Sequence, residues 1–187
     1  MIKLVPRLNL DKGDKYKRTA LLMACRNGHA KIVALLMKHH ASAGLPDTSG
    51  NTPLHHAAAY GWIQCVKLLL EHGPQDEVSP SAENAWKATP MTIALQKNHL
   101  TIVKELLATQ DINVNSKDDN GRSLLSLALG TINHESIELI DQLLHQKNPA
   151  DVNSQDAKGQ TPLYHLIEGM LLRKKSEKGM LFGDDEL

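Results

Sequence analysis

The chain has 187 residues, 41% hydrophobic and 22% charged, with a formal net charge of zero, which suits a folded domain with a continuous core and argues against a disordered segment. Aromatic residues make up only 3%, so the core must be built from Leu, Ile, Val, Ala and Met, as packed helices are more often than β-sandwiches. No stretch reaches eighteen apolar residues and the opening MIKLVPRLNLDKGDKYKR lacks the apolar block of a secretory leader, so a cytoplasmic or nuclear protein is expected, and the final DDEL reads as coincidence rather than a retention signal.

Residues 1–13 read as an N-terminal extension. A pattern then begins and returns: RTALLMACRNGHAKIVALLMKH has its threonine at Thr19, NTPLHHAAAYGWIQCVKLLLEHG at Thr52 and ATPMTIALQKNHLTIVKELLATQ at Thr89, while RSLLSLALGTINHESIELIDQLLHQ has Ser123 there and QTPLYHLIEGMLL has Thr161. The spacings of 33, 37, 34 and 38 residues describe a period near 33 with insertions. They divide the chain into repeat 1 at 14–46, repeat 2 with a long turn at 47–83, repeat 3 at 84–117, repeat 4 at 118–155, and a partial repeat 5 with the C-terminal tail at 156–187.

Each repeat has a local physical reading. Thr52 is a good N-cap, and Pro53 suits the first helical position, where its missing N–H costs nothing. Leu54, Ala57 and Ala58 face one side of a short helix that Gly61 can end with positive φ. Ile63, Val66, Leu69 and Leu70 then form the apolar face of a second helix, terminated by Gly73 and Pro74. The Asp-, Asn- and Gly-rich segments DINVNSKDDNGRS (111–123) and ADVNSQDAKGQT (150–161) read as turns with short extended arms. One pair of two-turn helices cannot bury its own apolar face, whereas stacked pairs can share an elongated core. The last repeat shows no clear second helix, because MLLRKKSEKGMLFGDDEL changes from apolar to charged without an equivalent apolar face.

The sequence GNTPLHHAAAYGW, with its T-P-L-H-x-A core, and the 33-residue period resemble the ankyrin repeat over roughly residues 14–170. The resemblance implies an all-α solenoid of stacked helix-turn-helix units with β-hairpin-like turns. Its histidine, here His55, is expected to tie neighbouring turns together, and His29 and His99 stand at the starts of second helices. Departures are Ala20 in a proline slot, Lys17, Lys87 and Asn98 in glycine slots, and about three extra residues near Gly130 to His134.

No chemistry of catalysis or metal binding emerges. His39/His40 and His55/His56 are adjacent, so on a helix they diverge by about 100°. Cys25 and Cys65 occupy apolar helical positions and read as reduced, buried thiols, and neither Cys-x-x-Cys nor His-x-x-x-His occurs. A nucleophile elbow, a phosphate-binding P-loop and a dinucleotide fingerprint are likewise missing, so no catalytic residue, cofactor or metal is assigned.

Function is therefore expected on the surface. The resemblance places partner contacts at the turn tips before each Thr-Pro and at the exposed ends of first helices, which here are Tyr16, Arg18, Arg26, Ser49, Asn51, Tyr60, Trp86, Lys97, Asn120 and Arg122. Tyr16, Tyr60 and Trp86 are three of only six aromatic residues, and aromatics and arginine dominate binding hot spots. Trp86 either meets a partner or plugs the long turn GPQDEVSPSAENAW (73–86), whereas Trp62 is expected to pack. Asp76, Glu77 and Glu83 make that turn either an acidic finger or a tolerated insertion. Residues 1–40 carry +7 and residues 41–170 carry −7, so the basic Lys12, Lys15, Lys17, Arg18, Arg26 and Lys31 suit an acidic peptide. Nucleic acid is not expected, since no aromatic-interleaved basic platform or recognition helix is present. Asn115, with Leu107 eight residues before it and Val114 adjacent, is similar to ankyrin asparagines that an oxygenase hydroxylates. The alternative is an asparagine that hydrogen-bonds its own turn.

The expected activity is a non-catalytic scaffold, monomeric, that binds a protein or peptide partner. The alternative is the ankyrin targeting segment of a larger enzyme such as a poly(ADP-ribose) polymerase or a kinase. A third reading, self-association through the uncapped end at Leu171 and Leu172, predicts a dimer instead.

Overall fold

The computed structural model describes residues 9–109, 112–130 and 134–180. Among these residues the chain is all-helical: α1 (Ala20–Arg26), α2 (Ala30–Lys38), α3 (Pro53–Ala59), α4 (Ile63–His72), α5 (Pro90–Gln96), α6 (Leu100–Leu107), α7 (Leu124–Gly130), α8 (His134–Leu144) and α9 (Pro162–Met180). The only strand-like pairing among them is a single antiparallel bridge between Lys117 and Ser123. The chain divides into two compact units, Met1–Thr109 and Gln110–Leu187.

The first unit is three helix pairs, with α1, α3 and α5 packed side by side in one layer and α2, α4 and α6 in a second. The first helix of each pair has only seven residues, too short to persist alone in water. Hydroxyl caps start each one. Thr19 Oγ1 accepts the Leu22 amide at 3.2 Å, and Thr89 Oγ1 accepts the Thr92 amide at 3.2 Å. In repeats 2 and 3 the cap is reciprocal, because His55 Nδ1 accepts the Thr52 amide and Thr92 Oγ1 accepts the Thr89 amide. Each first helix ends in a left-handed residue, namely Gly28, Gly61 and Asn98, with φ of 74°, 78° and 59°.

Packing then supplies the stability. Ala24, Ala57 and Ala94 hold equivalent places and are at most 4% exposed, which allows the first helices to approach closely. Around them Leu21, Leu22, Leu54, Met91 and Leu95 are fully buried, and Val33, Val66, Val103, Leu69 and Leu106 form the seam beneath the second helices. The N-cap ring of one second helix covers the turn of the preceding repeat. A Cβ on Gly28 would lie 2.7 Å from Trp62 Cε2, and one on Gly61 would lie 2.7 Å from His99 Cε1. The Trp62 indole also donates to the Arg26 carbonyl at 3.0 Å, so it packs as expected although 42% exposed.

In the second unit α7 pairs with α8, and α9 packs along α7. The extra residues expected near Gly130 to His134 fall mostly on 131–133, outside the described residues. Repeat 5 has no second helix among the described residues, because α9 runs unbroken for 19 residues. The reason is local: Met170 stands nine residues after Thr161, the slot that Gly28, Gly61 and Asn98 use for their left-handed turn, and a methionine continues the helix there. Gly169 permits the approach of α9 to α7, since a Cβ on it would meet the Gly130 carbonyl oxygen at 2.8 Å. Leu163 and Ile167, equivalent to the buried Leu54 and Ala58, are 60% and 51% exposed on the opposite face.

Candidate functional site

The turn tips are built by one recurring side chain. Asp14, Asp47, Asn84, Asp118 and Asp156 each use Oδ1 to accept the amides two and four residues later: Tyr16 and Arg18, Ser49 and Asn51, Trp86 and Ala88, Asn120 and Arg122, Lys158 and Gln160, all at 2.8–3.0 Å. The amide of each anchor donates to the carbonyl four residues on, at 2.9–3.2 Å, which closes a narrow hairpin-like loop. Closure requires a left-handed fourth residue. Gly50, Gly121 and Gly159 meet that need with φ of 73–78°, while Lys17 and Lys87 adopt 59° and 57°.

Neighbouring tips are joined by their backbones. The Thr48 amide donates to the Tyr16 carbonyl and the Ala85 amide to the Ser49 carbonyl, both at 3.0 Å, and Asn84 Nδ2 donates to Asn51 Oδ1 at 2.8 Å. Tyr16, Ser49 and Trp86 therefore hold equivalent places along one row in the first unit. A similar bond in the second unit runs from the Ala157 amide to the Asn120 carbonyl at 2.9 Å.

A second row follows the ends of α1, α3 and α5, where Arg26, Tyr60 and Lys97 stand. The Arg26 guanidinium lies 5.8 Å from the Tyr60 ring centroid, within cation–π range. Asn51, His55, Tyr60, Ile93 and Lys97 line a shallow groove between repeats 2 and 3. Along the tips, Lys15 Nζ and the Arg18 guanidinium sit 5.0 and 4.8 Å from the Tyr16 ring. Tyr16, Tyr60 and Trp86 are 47%, 48% and 52% exposed, so each ring has about half its surface open to a partner. Val78, not Trp86, is buried by the long turn.

Not every expected contact residue is equally available. Arg18 Nε and Nη2 both donate to Asp14 Oδ2, and Arg122 forms the same fork on Asp118 Oδ2 at 3.0 and 2.8 Å. The Arg18 hydrogen bonds hold the Asp14 carboxyl down at about 2. Ser49 and Asn51 serve the tip bonds described above. Lys97 and Asn120 are exposed at their positions. Asn115 bridges to the next repeat: its Nδ2 donates to the Pro149 carbonyl at 3.2 Å and its Oδ1 accepts the Asp151 amide at 2.8 Å. In the long turn, Glu77 points inward, its Oε2 accepting the Ser42 hydroxyl at 2.8 Å and the Ala43 amide at 2.6 Å. This removes Glu77 from an acidic finger and leaves Asp76 and Glu83 exposed.

The paired histidines part company. His55 is 1% exposed; its Nδ1 accepts from the Thr52 amide at 3.1 Å, so the ring proton resides on Nε2 and is donated to the Ala88 carbonyl of repeat 3 at 3.1 Å. Burial pushes its pKa down to about 4, so the ring is neutral at physiological pH. His56 instead reaches the tip anchor Asp47, Nε2 to Oδ2 at 2.9 Å, and His165 repeats that contact with Asp156 at 3.1 Å. Burial opposes ionisation of Asp47, but the His56 ring and the Asn51 and Ser49 amides outweigh it and hold its carboxyl below the usual 3.8. Cys25 and Cys65 are free, buried thiols, and burial raises the pKa of both. Among the described residues no three His, Cys, Asp or Glu side chains gather where a metal ion could be held, and no helix is long and apolar enough to cross a membrane.

Sequence reasoning overlooked the tip anchors. Their signal was present as an Asp or Asn five residues before each capping Thr or Ser, at 14, 47, 84, 118 and 156.

Comparisons with known proteins agree with this architecture. Residues 1–79 match a family model described as ankyrin repeats (3 copies), and residues 54–107 match one described as ankyrin repeats (many copies). The chain is 41% identical over 182 residues to poly [ADP-ribose] polymerase tankyrase of Caenorhabditis elegans, covering 93% of this chain and 8% of that protein. It is 30% identical over 175 residues to the nuclear factor NF-kappa-B p105 subunit of Gallus gallus, covering 90% of this chain and 17% of the other. A third similarity, 31% over 123 residues, is to tyrosine-protein kinase HTK16 of Hydra vulgaris, covering 66% of this chain and 16% of the kinase. The chain thus spans less than a fifth of the length of each of these relatives.

Proposed function

Since the chain belongs to the ankyrin-repeat family, we propose that it is a non-catalytic scaffold that holds a protein or peptide partner against the turn tips and first-helix ends of its first unit. Ankyrin repeats in general mediate protein–protein interaction. The observation that carries this reading is the exposure of Tyr16, Tyr60 and Trp86 on a surface whose backbone is fixed by tip-to-tip bonds. A rigid scaffold presenting half-exposed aromatics loses little conformational entropy when it binds, and truncation of a good aromatic anchor costs about 2 kcal/mol or more. The contact set comprises Tyr16, Arg18, Arg26, Ser49, Asn51, Tyr60, Trp86 and Lys97, with Asn120 and Arg122 offering a second patch on the other unit.

The test is affinity capture from a cell lysate with the wild-type chain and a Tyr60→Ala, Trp86→Ala double variant, after both are shown to melt alike. A protein retained only by the wild type supports the reading. Identical captures from both would place binding elsewhere on the chain.

The second reading is that these repeats are the targeting segment of a larger enzyme. What favours it is the similarity of nearly the whole chain to a small part of a poly [ADP-ribose] polymerase, together with the kinase relative. Sequencing full-length transcripts tests it, with an in-frame polymerase or kinase domain as the supporting result and a complete transcript lacking one as the refuting result.

A further inference from the structure

We propose that the partner segment held by the first unit is acidic and extended, with its carboxylates directed to Lys17 and Lys87 at the two outer tips and an apolar side chain between them at Tyr60. This inference rests on the protein-binding reading above and names the chemistry of the partner.

The argument begins with the left-handed residue of each tip. Gly50, Gly121 and Gly159 occupy it without steric cost, but repeats 1 and 3 place Lys17 and Lys87 there at φ of 59° and 57°, both exposed. A side chain in this conformation is strained, and neither ammonium contributes to the tip hydrogen bonds, which the backbone and the Asp or Asn anchor complete. Two lysines are therefore held, at a conformational cost, where the tip itself needs only glycine.

The charge around them is one-sided. The tips and first-helix ends of the first unit carry Lys15, Lys17, Arg18, Arg26, Lys87 and Lys97 against Asp14 and Asp47, and one exposed acid, Glu83, stands directly before the repeat 3 tip. Both aspartates are consumed internally: each accepts two tip amides, and each pairs with a cation or imidazole of its own repeat, Asp14 with Arg18 and Asp47 with His56. The corresponding positions of the second unit carry Arg122 and Lys158 against Asp118, Asp119, Asp156 and Glu168, so a basic surface is not a general consequence of the tip design. Lys15, which is exposed, and Arg26, which is half-buried, lie beside the half-open rings of Tyr16 and Tyr60, an arrangement that suits carboxylates attached to an apolar stem.

Geometry limits the length of the segment. Lys17 and Lys87 are two repeats apart, and packed helices lie about 8–10 Å apart, giving a separation of roughly 20 Å. An extended chain covers that distance in about six residues. Tyr60 lies in the intervening repeat.

The probe is a fluorescein-labelled dodecapeptide with two Asp-Glu pairs six residues apart about a central leucine, measured by anisotropy against the full chain. Its Asn-Gln counterpart, a Lys-Lys counterpart and a labelled polyuridylate oligonucleotide serve as comparators. The acidic peptide is expected to bind about tenfold more tightly than the amide peptide at 50 mM salt, with the difference narrowing at 500 mM. A Lys17→Gly, Lys87→Gly variant is expected to bind the acidic peptide several-fold more weakly while melting at a higher temperature, so a binding loss cannot be ascribed to unfolding. The proposal is overturned if the acidic peptide does not bind at millimolar concentration, if the amide or basic peptide binds as well, if the oligonucleotide binds more tightly, or if the glycine variant binds unchanged. If the amide peptide binds as tightly as the acidic one and loses that binding in a Tyr60→Ala variant, the scaffold reading stands while the charge inference fails.

Discussion

Lowering the pH from 7 to 4 should destabilise the first unit through a single imidazole, His55. Its ring is 1% exposed, with Nδ1 occupied by the Thr52 amide and Nε2–H by the Ala88 carbonyl, so a second proton would replace an accepted hydrogen bond with two opposed N–H groups. The folded pKa is about 4, against 6.5 in an unfolded chain. Between these values the unfolded state binds a proton that the folded state does not, so stability falls as pH falls. The contribution is complete above 6.5 and is lost as pH drops toward 4. A difference of two to three pH units corresponds to about 3 kcal/mol, which is a large share of the stability of a small repeat array. Asp47, whose carboxyl is held below 3.8, adds a further loss only at lower pH, where protonation removes its tip and His56 bonds.

The assay is urea denaturation followed by tryptophan fluorescence at pH 7, 5.5 and 4.5, for wild type and for His55→Gln. Both tryptophans, Trp62 and Trp86, lie in the first unit, so the signal reports that unit. Glutamine at this helical position can still reach back to the Thr52 amide but does not titrate. The wild type should be the more stable at pH 7, and its advantage should shrink by about 2–3 kcal/mol by pH 4.5. An advantage that stays constant with pH would refute the assignment of His55 as a buried neutral link between repeats.

Three further outcomes follow from particular contacts. Replacing Lys17 or Lys87 by glycine relieves left-handed strain of about 1–2 kcal/mol and costs about 0.5–1 in chain entropy, so each should raise stability by about 0.5–1 kcal/mol in thermal melts. Gly169→Val should destabilise the second unit by about 1–3 kcal/mol, read by circular dichroism, because its Cβ would enter the Gly130 carbonyl at 2.8 Å. Asn115→Ala should cost about 1 kcal/mol by removing the bonds to Pro149 and Asp151, and hydrogen exchange at the Asp151 amide should accelerate.

Much of this architecture was legible because it is local. Thr-Pro pairs announce helix starts, and the nine-residue distance from cap to glycine announces where each short helix stops. That same distance accounts for α9, since Met170 at the stop position lets the helix continue. Lys17, Lys87 and Asn98 were recognised as occupants of glycine slots, and each indeed has positive φ. The candidate surface was harder to read. Arg18 and Arg122 look like contact residues on a linear sequence, and only the folded tip shows both guanidinium groups forked onto the anchor four residues before them. Glu77 reads as a surface acid until the loop brings it to Ser42 and Ala43, 35 and 34 residues away. Polar residues serve structure or partners according to what the fold places beside them, and that neighbour is not visible in composition or spacing.

The most direct test of the binding surface is site-specific photocrosslinking in cells, with the reactive residue at Tyr60 or Trp86 on one face and at the exposed Glu71 of α4 on the other. The account predicts a common crosslinked partner from positions 60 and 86 and none from 71. Crosslinks from position 71 alone would contradict it and place the partner on the second-helix layer.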